Sequence, residues 1–246
     1  MAIITIPNSL GLQSVIAFST DLDRIPHGDE FYDFDFQYLS GWFPPFSMVY
    51  LAAQLRRFKS ERPYAQCRAL NFADLTYAAH MGFFRSFGLE YGNNPGQASG
   101  NDNYVPITSL NCDDIRTTAA QTGLYPGEIL QNRAEALAQI VTRGTIGPFY
   151  DFLSFSLREV LRNAVEHSGS SEVLYCAQYW PRRGEVEVGI ADFGIGVRSG
   201  LANNPLYRST TNQEALALSL QPGVSGRAYP GAPPQSERSE ERRVGK

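Results

Sequence analysis

Apolar positions along this chain follow two rhythms, a period of two and a period near 3.6. Their alternation predicts short strands interleaved with helices. Ile3–Ile6 is a β-branched opening run read as a strand, and Gln13–Ala17 reads as the start of a helix. Between Glu30 and Leu39, Phe31, Phe34, Phe36 and Tyr38 are spaced among polar residues, a strand pattern that ends at Trp42-Phe43-Pro44-Pro45. Ser47–Arg62 carries Val49, Ala52, Ala53 and Leu55 as one stripe, which predicts a helix stopped by Pro63. Cys67–Phe72 reads as a strand and Leu75–Phe87 as a helix halted by Gly88, while the Gly- and Asn-rich stretch 92–103 reads as a loop.

In the second half, Tyr104–Thr108 is a short strand and Gly127–Thr142 a helix. Pro148 then opens a long amphipathic helix that Gly169 stops, both residues suiting their ends. Val173–Tyr179 and Glu185–Ala191 alternate as two strands of a hairpin, with Val173, Tyr175 and Ala177 on one face and Val186, Val188 and Ile190 likewise sharing a face. After Gly226 the text RAYPGAPPQSERSEERRVGK has no periodicity. It is expected to be disordered and foreign to the preceding domain.

The fold class expected is α/β, with region 1–110 followed by a second α/β domain over 111–226 and a tail over 227–246. A hydrophobic content of 43% in 246 residues is enough for a packed core. The net charge of -4 gives no electrostatic footprint for nucleic acid, and no apolar run is long enough to span a membrane. Cys67, Cys112 and Cys176 are odd in number and widely spaced, so neither a disulfide framework nor a zinc site is expected; a cytoplasmic setting fits.

Glu159, Asn163 and Glu166 fall within roughly 60° of one another on the long helix, opposite Leu153, Leu157, Leu161 and Val165. Without further context they would be a solvated polar face. Beyond one hairpin lies Ala191-Asp192-Phe193-Gly194-Ile195-Gly196, an acidic strand end followed by alternating glycines that allow a sharp turn and a close approach. This ordered pair resembles the N box and first glycine box of the GHKL ATPases, over roughly residues 148 to 200.

That resemblance implies a Bergerat-type α/β sandwich binding ATP and Mg²⁺. Asn163 would ligate Mg²⁺ through its amide oxygen, Asp192 would accept from the adenine amino group, and Gly194 and Gly196 would let the chain pass the base. Glu159 sits where hydrolytic members place the carboxylate that activates water. Glu166 and His167 occupy positions of phosphate-side polar groups, although His167 also suits a helix C-terminus. The second glycine box is not visible, since only Pro222-Gly223-Val224-Ser225-Gly226 follows, and the expectation is an incomplete domain. His27 and His80 lack the surroundings of a histidine-kinase phosphoacceptor and are read as structural.

The segment Asp33–Leu89 resembles a STAS domain, with Ser47 at the turn before a helix, either as its N-cap or as a phosphorylation site. Together the two resemblances imply a regulatory ATP-binding protein, with hydrolysis or protein phosphorylation as its activity and a protein partner. The alternative is a non-enzymatic interaction module on a degenerate nucleotide-binding fold.

Overall fold

The computed structural model describes residues 1–41, 43–208, 210–221, 223, 224 and 226. The described chain is mixed α/β with one parallel and one antiparallel three-stranded sheet. It divides into two compact units, Met1–Gly194 and the residues from Ile195 onward.

The first unit opens with β1 (Ala2–Thr5), α1 (Leu12–Asp23), β2 (Phe31–Asp35), α2 (Pro45–Ser60) and β3 (Gln66–Leu70). The strands pair in parallel in the order β1-β2-β3, with Ile4 opposite Phe34 and Phe34 opposite Ala69. Parallel pairing requires a crossover after each strand, and α1 and α2 supply them. The inward set of the central strand is Tyr32, Phe34 and Phe36, all essentially inaccessible, rather than a set beginning at Phe31. Phe58 of α2 meets Tyr32 and Phe34 edge-on, with ring centroids 5.1 and 5.6 Å apart. Asp33, on the other face, is held by two bonds from Arg68 at 2.7 and 2.8 Å, which keep its carboxyl below the usual range.

The helix expected at Leu75–Phe87 is two short ones, α3 (Thr76–His80) and α4 (Phe83–Ser86). Gly82 separates them at φ 88°, and the neighbouring Met81 carbonyl accepts from Ile107 N–H of the next strand at 2.9 Å. A carbonyl committed to a strand cannot continue the helix ladder, so the break has a tertiary cause. Phe83, Phe84 and Phe87 still reach the core, where they surround Phe36.

Next come β4 (Tyr104–Asn111), α5 (Cys112–Thr122), α6 (Pro126–Thr142), α7 (Pro148–His167), β5 (Glu172–Trp180) and β6 (Glu185–Asp192). The strands form an antiparallel β4-β5-β6 sheet with Leu110 opposite Val173 and Val173 opposite Asp192. Alternation gives this sheet two buried faces. Val173, Tyr175 and Ala177 pack with Leu130, Leu137, Leu161 and Val165 from α6 and α7. Leu174 and Cys176 join the core that contains α2 and the parallel sheet.

Helix α2 therefore lies against both sheets. Its first turn sits on the hairpin, where the Phe46 N–H donates to Glu187 Oε1 of β6 at 2.8 Å and the Cys176 thiol of β5 donates to the Pro45 carbonyl at 3.4 Å. A β-carbon at Gly189 would stand 2.5 Å from the Pro45 oxygen, so this contact requires glycine. The N-cap of α2 is Pro44, not Ser47. Ser47 is a buried residue within the first turn, which leaves Glu187 of β6 to serve the Phe46 N–H. That burial also removes Ser47 from the reach of a modifying enzyme.

In the second unit, α8 (Gly196–Leu201) and α9 (Asn212–Ser219) flank a 3-10 turn at Pro205–Tyr207. Arg198 reaches the Thr210 carbonyl at 2.8 Å, and Thr211 with Glu214 forms a capping box that opens α9. Among the described residues no helix is long and apolar enough to cross a membrane. The tail 227–246, Pro222 and Ser225 lie outside the described residues.

Candidate functional site

Helix α7 starts at Pro148 and runs twenty residues, burying apolar side chains only in its second half and leaving Phe149, Phe152, Phe155 and Val160 exposed. Leu161, Ala164 and Val165 are buried against the sheet, and Asn163 is exposed on the far side of the helix. Glu159 and Glu166 flank it, with side chains 25% and 30% exposed. Glu159 is engaged twice, by Arg158 at 3.2 Å and Arg162 at 3.0 Å. The ring of His167 lies 3.8 Å from Glu166 in the last turn of α7, where a cation is favoured by the helix dipole.

The C-terminus of α7 is tied down. Arg116 of α5 donates to the Val165 carbonyl and, at 3.3 Å, to the Ser170 carbonyl. Ser168 donates back to the Ala164 carbonyl, and the Ser170 N–H donates to Ser168 Oγ at 2.9 Å. These bonds hold the exit of the helix beside the end of β6. There Phe193 N–H donates to Ser170 Oγ at 3.2 Å, and a β-carbon on Gly194 would collide with the Ser168 carbonyl. Gly194 is thus required by close approach, and the segment Asp192-Phe193-Gly194 is pinned to the end of the helix bearing Asn163.

Asp192 is exposed, and its position in β6 places it on the face of Val188 and Ile190, the side covered by α7. One of its oxygens accepts from the Gly194 N–H at 2.8 Å, a local turn that fixes the carboxylate. Phe193 points to the opposite face, where the Arg56 guanidinium lies 4.2 Å over its ring. Gly196 belongs to the second unit, beginning α8 at φ 75° with no atom near its would-be β-carbon.

The structure therefore joins the two motifs through Ser168, Ser170 and Gly194, not through a bond between Asn163 and Asp192. Sequence reading missed the serines, although Ser-Gly-Ser-Ser directly after a helix is a legible backbone-bonding signal. Glu187 was also missed, because its partner on α2 is remote in the chain. Burial pushes the Glu187 carboxyl above its ordinary value against the smaller opposing effect of the Phe46 N–H.

Other expected chemistry is plain to place. His80 shares a 2.9 Å hydrogen bond with the Tyr104 hydroxyl, a structural arrangement. All three cysteines are free, and burial raises the thiols of Cys67, Cys112 and Cys176, which disfavours the nucleophilic thiolate. Among the described residues no group of three or more His, Cys, Asp or Glu side chains could hold a metal ion unaided. No family model matches the chain, and no curated protein or solved structure matches it significantly.

Proposed function

We propose that this chain is a regulatory ATP-binding protein, its α7–β5–β6 region a Bergerat-type fold and its first three strands a STAS-like region. The observation that carries the reading is the pinning of Asp192-Phe193-Gly194 to the C-terminal end of the helix that bears Asn163. Asn163 stands five positions before Ser168, about 7.5 Å along the helix axis; it faces away from the sheet, so the phosphates would lie along the outer side of α7. Asp192 spends one oxygen on the turn, and the adenine amino group would meet the other.

Asn163 would hold Mg²⁺, with Glu159 and Glu166 beside it to accept from its water ligands. Mg²⁺ keeps several waters and takes few protein ligands when phosphates are present, so a three-residue cluster is not required. Bound there, the ion would neutralise phosphate charge. Gly194 would let the chain pass the base, and His167 suits the helix end better than a phosphate contact.

Binding without turnover is the form of this reading that one contact favours. Arg158 and Arg162 each hold one oxygen of Glu159, which fixes the carboxylate instead of leaving it to turn toward an attacking water. The expected behaviour is that of a nucleotide-responsive interaction module for a protein partner. Calorimetry with ATP, in Mg²⁺ and in EDTA, tests it: Asn163→Ala should remove the Mg²⁺-dependent part of the affinity and Asp192→Asn should weaken ATP relative to triphosphate. Unchanged affinity in both variants would overturn the assignment. Phosphate release that vanishes in Glu159→Ala would restore the hydrolytic role.

A further inference from the structure

A second cluster of charge lies on the other face of the antiparallel sheet. Glu172 and Ser109 alternate with Val173 and Leu110, which pack toward the helices, so both belong to the face covered by α2. With Arg56 and Lys59 of α2, Arg85, Ser86, Phe87, Gly88 and Pro95 they line a cavity of about 520 Å³. A volume of this size lies in the ordinary range for small-molecule sites.

The charges in it do not balance. Arg56 is matched by Glu172 at 2.6 Å, and Ser109 donates to the same carboxylate, so this acid is fully engaged. Lys59 meets only backbone oxygens, Phe87 O at 3.0 Å and Gly88 O at 3.4 Å, with no carboxylate in ion-pair range among the described residues. Arg85 pairs with Glu90, whose side chain is 86% exposed, and a pair that open to water contributes little. Gly88 leaves room for the lysine: it sits at φ 83°, and a β-carbon there would stand 3.0 Å from Lys59 Nζ.

We propose that this cavity is a binding site for a small phosphorylated ligand, with Lys59 and Arg85 as its principal phosphate contacts. Lys59 without a carboxylate, and Arg85 once a ligand displaces its solvent-exposed partner Glu90, match the charge of a phosphate monoester dianion. Arg85 Nε is committed to the Gly92 carbonyl at 2.9 Å, so a phosphate would meet Nη2 and take the place of Glu90 at Nη1, while Lys59, a compact point charge, takes a third oxygen. A carboxylate offers one charge and two oxygens and leaves one cation unmatched. Arg56 holds Glu172 in check, so that its charge does not repel the ligand.

The site is independent of the nucleotide reading, because it uses the opposite face of the sheet and none of Asn163, Asp192 or Glu159. Titration of the full chain with inorganic phosphate, against acetate at equal ionic strength, tests it by calorimetry. Saturable phosphate binding is expected, with Lys59→Gln and Arg85→Gln each weakening it by about tenfold or more. Arg85→Lys should retain part of it, and Asn163→Ala should leave it unchanged. Circular dichroism and melting in phosphate-free buffer verify that each variant is folded. The proposal is overturned if phosphate fails to saturate, if acetate binds equally well, or if folded Lys59→Gln and Arg85→Gln bind phosphate as the parent does. Loss of phosphate binding in Asn163→Ala alone would transfer the anion to the other face and equally overturn it.

Discussion

Gly189→Ala tests the contact on which the first unit is built. The added β-carbon would meet the Pro45 oxygen at 2.5 Å, the Pro45 carbon at 2.6 Å and the Phe46 nitrogen at 2.7 Å. All three are backbone atoms near the start of a sixteen-residue helix, so no side chain can rotate away to make room. Separating the two to an ordinary contact requires a shift of at least about half an ångström, and overpacking of this kind costs about 1–3 kcal/mol. The same recoil stretches the Phe46–Glu187 and Cys176–Pro45 hydrogen bonds, each contributing about 1 kcal/mol net. Against this, replacing glycine within a strand stabilises by about 0.5–1 kcal/mol. The net expectation is a loss of about 2 kcal/mol, a fall of roughly 4–8 °C in Tm for a chain of this size. Urea denaturation followed by circular dichroism, with heat denaturation alongside, gives both numbers. Equal or greater stability in Gly189→Ala would show that α2 does not rest on β6.

Glu187 should contribute a pH dependence of the sign opposite to most acids. Its folded-state value is raised above the ordinary 4.5, so its favourable contribution is complete below that pH and is lost as pH rises through the folded value. Glu187→Gln keeps an oxygen for the Phe46 N–H and should flatten stability-versus-pH across that window; an unaltered profile refutes the burial argument. Asn111 caps α5, accepting from the Asp113 and Asp114 N–H groups at 2.9 and 3.1 Å. Asn111→Ala should destabilise the protein by about 1 kcal/mol in the same urea assay, and no change would mean the cap is dispensable.

Long periodic elements were legible because their pattern and punctuation agree. Pro148 and the stripe of Leu157, Leu161 and Val165 announce α7, and the alternation of Val173, Tyr175 and Ala177 announces β5. Helix α5 escaped notice since few of its residues, Cys112, Ile115 and Ala119, are buried, too few to display a period. Its Asn111 cap and Gly123 stop, at φ 70°, were nevertheless present in the text. The break at Gly82 depends on Ile107 reaching Met81 across the fold, a non-local cause that no window of sequence contains. The β5–β6 hairpin was legible from its turn, whereas the partners of the other strands were hidden. Of the candidate site, the residues were readable by motif, while the serines that join its halves and the two arginines that occupy Glu159 became visible only in three dimensions. The cavity of Arg56, Lys59 and Arg85 had no local signature, because its charges come from α2 and α4 and the lack of a carboxylate beside Lys59 among the described residues shows only once the two meet.

The position of α2 has a consequence for how the protein is made. On the ribosome this helix emerges well before β5 and β6 exist, so the side intended for them stays bare while the intervening helices are synthesised. Nascent chains should therefore pass through an interval in which an apolar surface waits for its cover, a condition that invites self-association or a chaperone. Closure of the antiparallel hairpin over α2 would end that interval, making the late-synthesised strands the step that commits the early ones.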